Sequence, residues 1–142
     1  MTHSIAFLFP GQGSQFVGMG RALIDQYPEA RAIFDQADQI LGLSLTRLCL
    51  DGPEDQLTDT VNAQPAILVA SIATLRVIEA HAPHLKPAFV VGHSLGEFSA
   101  LVAARSLSFE DAVRLVRERG RMMKAAGLAQ PGAMAAILNL GR

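Results

Sequence analysis

Two short apolar runs constrain this chain more than any other feature, because each ends in a glycine-bearing loop and each is followed by helical spacing. Ile5-Ala6-Phe7-Leu8-Phe9 is stopped by Pro10-Gly11, and Ala88-Phe89-Val90-Val91 runs into Gly92-His93-Ser94-Leu95-Gly96. Short uninterrupted apolar runs bounded by turn residues read as buried strands. Between them, Leu23, Ile24, Ile33, Phe34, Ala37 and Ile40 recur at threes and fours from about Met19 to Gly42. Tyr27-Pro28 divides that stretch into two helices, since a residue before proline disfavours the helical region. Asp51-Gly52-Pro53 reads as a turn, with Pro53, Glu54 and Asp55 opening another helix. Pro65 is expected to begin a long helix, apolar nearly all round, that ends near Ala82-Pro83. Helices are expected again from Leu95 to Ala104 and from Phe109 to Ala126, then a loop and a last strand from Ala133 to Leu140. Strands separated by helices predict an α/β domain with a short parallel sheet, and 142 residues suit one domain.

Composition narrows the function classes. Half the residues are hydrophobic and 18% are charged, which excludes a disordered segment. Twelve basic against 13 acidic residues, without a basic cluster, argue against nucleic-acid binding and against a polybasic membrane anchor. The single cysteine, Cys49, excludes an internal disulfide and fits a reducing compartment. The longest apolar run, Ala66 to Ala73, falls well short of the ~20 residues of a membrane span. With no basic n-region or cleavage site at the start, a soluble cytoplasmic protein is the expectation.

Gly92-x-Ser94-x-Gly96, between an apolar strand and a helical pattern, matches a nucleophile elbow. The sharp turn would lift the serine hydroxyl above the sheet, and the Leu95 amide would face a developing oxyanion. The plainer alternative is a capping box, Ser94-x-x-Glu97, though capping alone leaves the two glycines unexplained. A serine nucleophile needs a base. His93 adjoins Ser94, but neighbouring side chains diverge in an extended or turning segment. His81 and His84 precede the strand, and six steps of ~3.3 Å put them ~20 Å from the hydroxyl. His3 precedes the first strand, and no histidine follows Ser94. The expected base is missing.

Gly11-Gln12-Gly13-Ser14-Gln15 directly follows the first strand. It lacks the lysine ending of a phosphate-binding loop, and Phe16 stands where a dinucleotide fingerprint needs its third glycine. Either it is a simple turn, or it presents a second oxyanion N–H beside the elbow. Arg119 is the other unusual residue. Ala112, Leu115, Val116, Met122, Met123 and Ala126 form an apolar stripe, and Arg119 falls in its middle. Arg114, Arg117, Glu118, Arg121 and Lys124 share the opposite face. A core-facing guanidinium is costly unless an anion pairs with it, so either an internal carboxylate or a substrate carboxylate is expected.

Taken together, Phe9-Pro10-Gly11-Gln12-Gly13-Ser14-Gln15, Gln64-Pro65-Ala66, Gly92-His93-Ser94-Leu95-Gly96-Glu97, Arg119-Gly120 and Gly132-Ala133-Met134-Ala135-Ala136 resemble the malonyl-CoA:acyl carrier protein transacylases. The resemblance spans the chain and implies Ser94 as the acylated nucleophile, with Gln12 and Leu95 giving oxyanion N–H groups. It implies Arg119 as the binder of the malonyl carboxylate, and places Gln64 in the same site. The implied fold is a hydrolase-like α/β domain, residues 1–127, followed at 128–142 by the first strand of an inserted ferredoxin-like subdomain. The family's catalytic histidine lies beyond the residues matched here, so the chain resembles the N-terminal half of a member and is expected to be inactive alone. Malonyl-CoA and acyl carrier protein are the implied partners, without metal or redox cofactor, in the manner of the discrete bacterial enzymes. A serine thioesterase or esterase on the same elbow, or an inactive fragment that only binds acyl-CoA or carrier protein, stays open at this point.

Overall fold

The computed structural model describes residues 4–132. In order, these form β1 (Ala6–Phe9), α1 (Arg21–Gln26), α2 (Pro28–Leu41), α3 (Leu45–Asp51), α4 (Glu54–Thr58), α5 (Thr60–His81), β2 (Phe89–Gly92), α6 (Gly96–Ala103) and α7 (Phe109–Ala129). Both expected strands form and pair in parallel, Ala6 opposite Phe89 and Phe9 opposite Gly92. The result is a mixed α/β fold, mostly helical, around a two-stranded sheet. The strand expected at 133–140, and with it the start of an inserted subdomain, lies outside the described residues.

Several boundaries follow the sequence and two differ. Tyr27 is extended (φ -127°, ψ 115°) and separates α1 from α2 at the expected proline. α5 begins at Thr60, not at Pro65, because the Asp59 side chain accepts from the Val61 amide at 3.0 Å and caps the helix there. Pro65, fully buried, removes only one donor near the helix start, and packing holds it in place. α7 continues past Ala126 to Ala129, because a single interior glycine such as Gly127 costs a helix only about 1 kcal/mol. The strands also differ: they are not buried on both faces. Phe9 is buried and Phe7 and Val90 are half-buried against helices, whereas Leu8 (77%), Phe89 (68%) and Val91 (54%) are exposed on the other face. Period-two alternation puts these residues on opposite sides, and among the described residues helices cover one side only.

α5 is the centre of the packing, against α2, α6 and α7. Phe34 from α2, Leu45 from α3, Leu57 from α4, Ile67, Leu68 and Ile72 from α5, and Val113 and Val116 from α7 are fully buried. With 22 residues and a mean hydropathy of 1.5 over its most apolar stretch, α5 is long and apolar enough to cross a membrane. Here it serves as the buried core helix, which explains an apolar character on nearly every side.

Candidate active site

The elbow is built by steric necessity. β2 ends at Gly92, Ser94 adopts a left-handed backbone (φ 52°), and α6 starts at Gly96. A Cβ on Gly92 would sit 2.0 Å from the Gly96 carbonyl carbon, and one on Gly96 would sit 2.2 Å from the Phe9 carbonyl oxygen. Neither position admits a side chain. Positive φ at a non-glycine residue is uncommon and characterises the strained turn that exposes a nucleophile. The capping-box alternative does not describe this serine. Its carbonyl receives the Glu97 amide at 3.1 Å, while the hydroxyl caps nothing and instead accepts from Arg119.

The loop after β1 lies against the elbow. The His93 amide donates to the Phe9 carbonyl at 3.1 Å, and a Cβ on Gly11 would be 2.7 Å from both His93 Nδ1 and the His93 carbonyl. The loop that carries Gln12 therefore meets the elbow at Gly11 and His93, because strands β1 and β2 are adjacent and end level. Neither the Gln12 nor the Leu95 amide donates a hydrogen bond among the described residues. Leu95 is itself buried, which pins the residue that follows the serine.

Arg119 completes the group, though not from the core. It is half-buried at the margin of the contact between α5 and α7; the residues α7 buries are Phe109, Ala112, Val113, Val116 and Gly120. Its Nη1–H donates to Gln64 Oε1 at 2.6 Å and its Nη2–H to Ser94 Oγ at 3.1 Å. Its guanidinium carbon lies 5.9 Å from the centre of the Phe98 ring, a cation–π distance. No carboxylate pairs with it among the described residues. Other basic groups of α7 are engaged: Arg114 with Glu110 at 2.8 Å, Arg121 with Glu118 at 3.7 Å, and Lys124 with Asp59. The internal ion pair that sequence left open is therefore not made, and Arg119 keeps its capacity for an anion.

Gln64 is fully buried on α5 and satisfied on both sides of its amide. Its oxygen accepts from Arg119, and its Nε2 donates to Thr60 Oγ1 at 2.9 Å and to Met123 Sδ at 3.3 Å. Sequence did not point to Thr60 or Phe98, and pointed to Met123 only as part of the apolar stripe. For Thr60 a signal existed, since it lies one turn before Gln64, but the helix was expected to begin after both.

No histidine serves Ser94 among the described residues. His81 is occupied 3.5 Å from Glu29 and edge-on to Tyr27 at 5.1 Å. Burial, with Asp38 nearby, pushes the Cys49 thiol up to about 12, so it is no competing nucleophile.

The described site therefore gathers a serine with a left-handed backbone at a strand–helix turn, the adjoining glycine loop, and a guanidinium that has no carboxylate partner among the described residues. Residues 6–140 match the acyl transferase domain family, and the chain belongs to it. Within it, the chain is homologous to malonyl CoA-acyl carrier protein transacylases. That of Bacillus subtilis strain 168 is 54% identical over 136 residues, 96% of this chain and 42% of the relative. The acyl-carrier-protein S-malonyltransferase structure from Bartonella henselae superposes with a TM-score of 0.84 at 48% identity, over 87% of this chain and 40% of that one. A malonyl-transacylase solved in complex with a type II polyketide acyl-carrier protein gives the same TM-score at 43% identity, with the same coverage. The chain thus spans about two-fifths of the length of these relatives, over their N-terminal portion.

Proposed function

We propose that this chain carries the acyl-accepting part of a malonyl-CoA:acyl carrier protein transacylase site. Ser94 attacks the thioester carbonyl, the oxyanion is held by the Gln12 and Leu95 amides, and CoA leaves as the thiol. The phosphopantetheine thiol of acyl carrier protein then takes the malonyl group from the serine ester. Arg119, held by Gln64, selects the substrate through its free carboxylate. Acyl transfer from an activated thioester requires neither metal nor redox cofactor, and fatty acid synthesis in the cytoplasm is the setting this chemistry fits.

The observation that carries the reading is the 3.1 Å contact between Arg119 and Ser94 Oγ, made by a guanidinium without a carboxylate partner. A malonyl group has one methylene between its thioester carbonyl and its carboxylate. A cation that can touch the nucleophile is therefore at the right range to hold that carboxylate while the carbonyl is attacked. The base is absent from the described site, and the resemblance puts it in the part of the relatives beyond the matched residues. In this reading residues 1–127 belong to the hydrolase-like domain, and residues 128–142 begin the inserted subdomain.

The test is malonyl-CoA against acetyl-CoA binding by calorimetry, with intact-mass analysis for an adduct on Ser94. A preference for malonyl-CoA that disappears in Arg119→Ala supports the assignment. Equal binding of the two thioesters, or rapid release of free malonate in place of a persistent adduct, points to a thioesterase and overturns it.

A further inference from the structure

The oxyanion loop and the carboxylate clamp are separate pieces of chain, yet one side chain joins them. Thr60 Oγ1 donates to Gln12 Oε1 at 3.0 Å and accepts from Gln64 Nε2 at 2.9 Å. Gln64 in turn accepts from Arg119, which touches Ser94. The direction of this relay is fixed at its Arg119 end. A guanidinium only donates, so Gln64 must turn its oxygen to Arg119 and its NH2 to Thr60. A hydroxyl has one proton and two lone pairs, so with Gln64 donating to it the proton is available to Gln12 Oε1. The Gln12 side chain is thereby joined to Arg119 through two intermediates.

The backbone of Thr60 is fixed as firmly as its hydroxyl. Its carbonyl oxygen would lie 2.6 Å from a Cβ on Gly120, so it abuts α7 one residue after Arg119. Asp59, the cap immediately before it, is paired with Lys124 of α7. Thr60 therefore sits where α5 starts, where α7 crosses, and where the loop after β1 arrives.

We infer that Thr60 is a positioning residue whose hydroxyl couples the carboxylate clamp, Gln64 and Arg119, to the oxyanion loop at Gln12. Its functional meaning rests on the transacylase reading; the physical coupling does not. A carboxylate that draws on Arg119 alters the strength of the Arg119–Gln64 bond, and the relay transmits that change to the loop that receives the oxyanion. A substrate without a carboxylate makes no such demand.

The coupling can be read by nitrogen-15 relaxation on the 142-residue chain, following the Gln12 and Gly13 amides and the Arg119 Nε–H signal, with Ile72 as a core reference. Thr60→Ser keeps the hydroxyl, and Thr60→Val removes it at nearly constant shape. In Thr60→Val the order parameters at Gln12 and Gly13 should fall from the rigid range, about 0.85, toward the flexible range below about 0.6, and the Arg119 signal should shift. Thr60→Ser should restore both, and Ile72 should not move. Gln12→Leu, at an exposed position, cuts the relay at its other end without threatening the fold, and should also shift the Arg119 signal. Unchanged loop and Arg119 signals in Thr60→Val, a Thr60→Ser variant as loose as the valine, or an unmoved Arg119 in Gln12→Leu would each overturn the coupling. Adding malonyl-CoA and acetyl-CoA separates the two claims. The malonyl preference should drop about three- to tenfold in Thr60→Val, the worth of one hydrogen-bonded link. Absence of any preference in the unmodified chain defeats the transacylase reading, while the relaxation data still decide the relay.

Discussion

α5 and α7 meet along one seam and both serve Ser94, yet they are built on opposite plans. α5 is apolar nearly all round and buries Ala63 through Val69 without a break. α7 is amphipathic, and its last buried residue is Gly120, about midway along; from Arg121 onward every described residue is exposed. The core therefore belongs to α5, whose interior lies among α2, α6 and α7. The polar contacts lie at the margin of the seam, where α7 reaches across to the first turns of α5: Arg117 to Asn62, Arg119 to Gln64, and Lys124 to Asp59. One helix supplies stability and a fixed reference, and the other supplies the reaching cation.

If that division holds, damage to α5 should be the most severe. Leu68→Ala removes a fully buried side chain from the middle of the core helix. It should lower unfolding free energy by about 2–5 kcal/mol in urea titrations. A loss comparable to that of an exposed substitution would show that α5 is not the core. Next comes the seam. Gly120→Ala puts a methyl group 2.6 Å from the Thr60 carbonyl and 2.9 Å from the Val61 Cα, both backbone atoms. It should cost about 1–3 kcal/mol by forcing the helices apart. It should also disturb the Thr60 and Arg119 signals far more than those of Ile24, on α1.

The same division governs what could be read beforehand. The elbow was legible because its glycine spacing is recorded in the sequence, although only Gly92 answers to local sterics; Gly96 is required by the Phe9 carbonyl on the neighbouring strand. The adjacency of the two glycine loops followed from parallel pairing. Arg119 was singled out, but for a reason only partly sound. Leu115 (48%) and Met122 (64%) are exposed, so the stripe in which Arg119 was centred is not the buried one. Apolar residues lie on two adjacent faces of α7, and periodicity cannot tell which one meets a neighbour. Gln64 entered through resemblance, and its partner Thr60 was lost when Pro65 was taken as the helix start. The cap at Asp59, a short-range signal, outweighs a proline that packing tolerates. Burial of the strands on one side only was not legible either, since an apolar run specifies what a strand tolerates and not what covers it.

A smaller effect on stability, with a large one on selectivity, is expected at Arg119. The residue is half-buried and its bonds go to neutral partners. Arg119→Ala should cost no more than about 1–2 kcal/mol, chiefly by leaving Gln64 Oε1 without its donor. Should the variant unfold instead, Arg119 belongs with α5 as a structural element and the contrast between the helices collapses. Arg119→Lys keeps the charge but not the planar fork, and should recover stability better than it recovers malonyl preference.

The smallest effect tests the far end of the seam. Lys124, and then the Val61 amide, hold the Asp59 carboxyl below its usual value of 3.8. A carboxylate whose folded-state pKa is depressed favours the folded chain above its unfolded pKa. That contribution is lost as pH falls through the lower folded value. The loss should therefore appear only below about pH 4, and the exposure of Lys124, with Asp59 only partly covered, keeps it small. Asp59→Asn retains an oxygen that can accept from Val61 and discards the charge. The difference in urea midpoint between this variant and the parent should accordingly shrink as pH is lowered from neutrality toward 3. If the two curves stay parallel, the Asp59–Lys124 pair does not tie α7 to the start of α5. The seam would then rest on Gly120 packing and the Arg119–Gln64 bond alone.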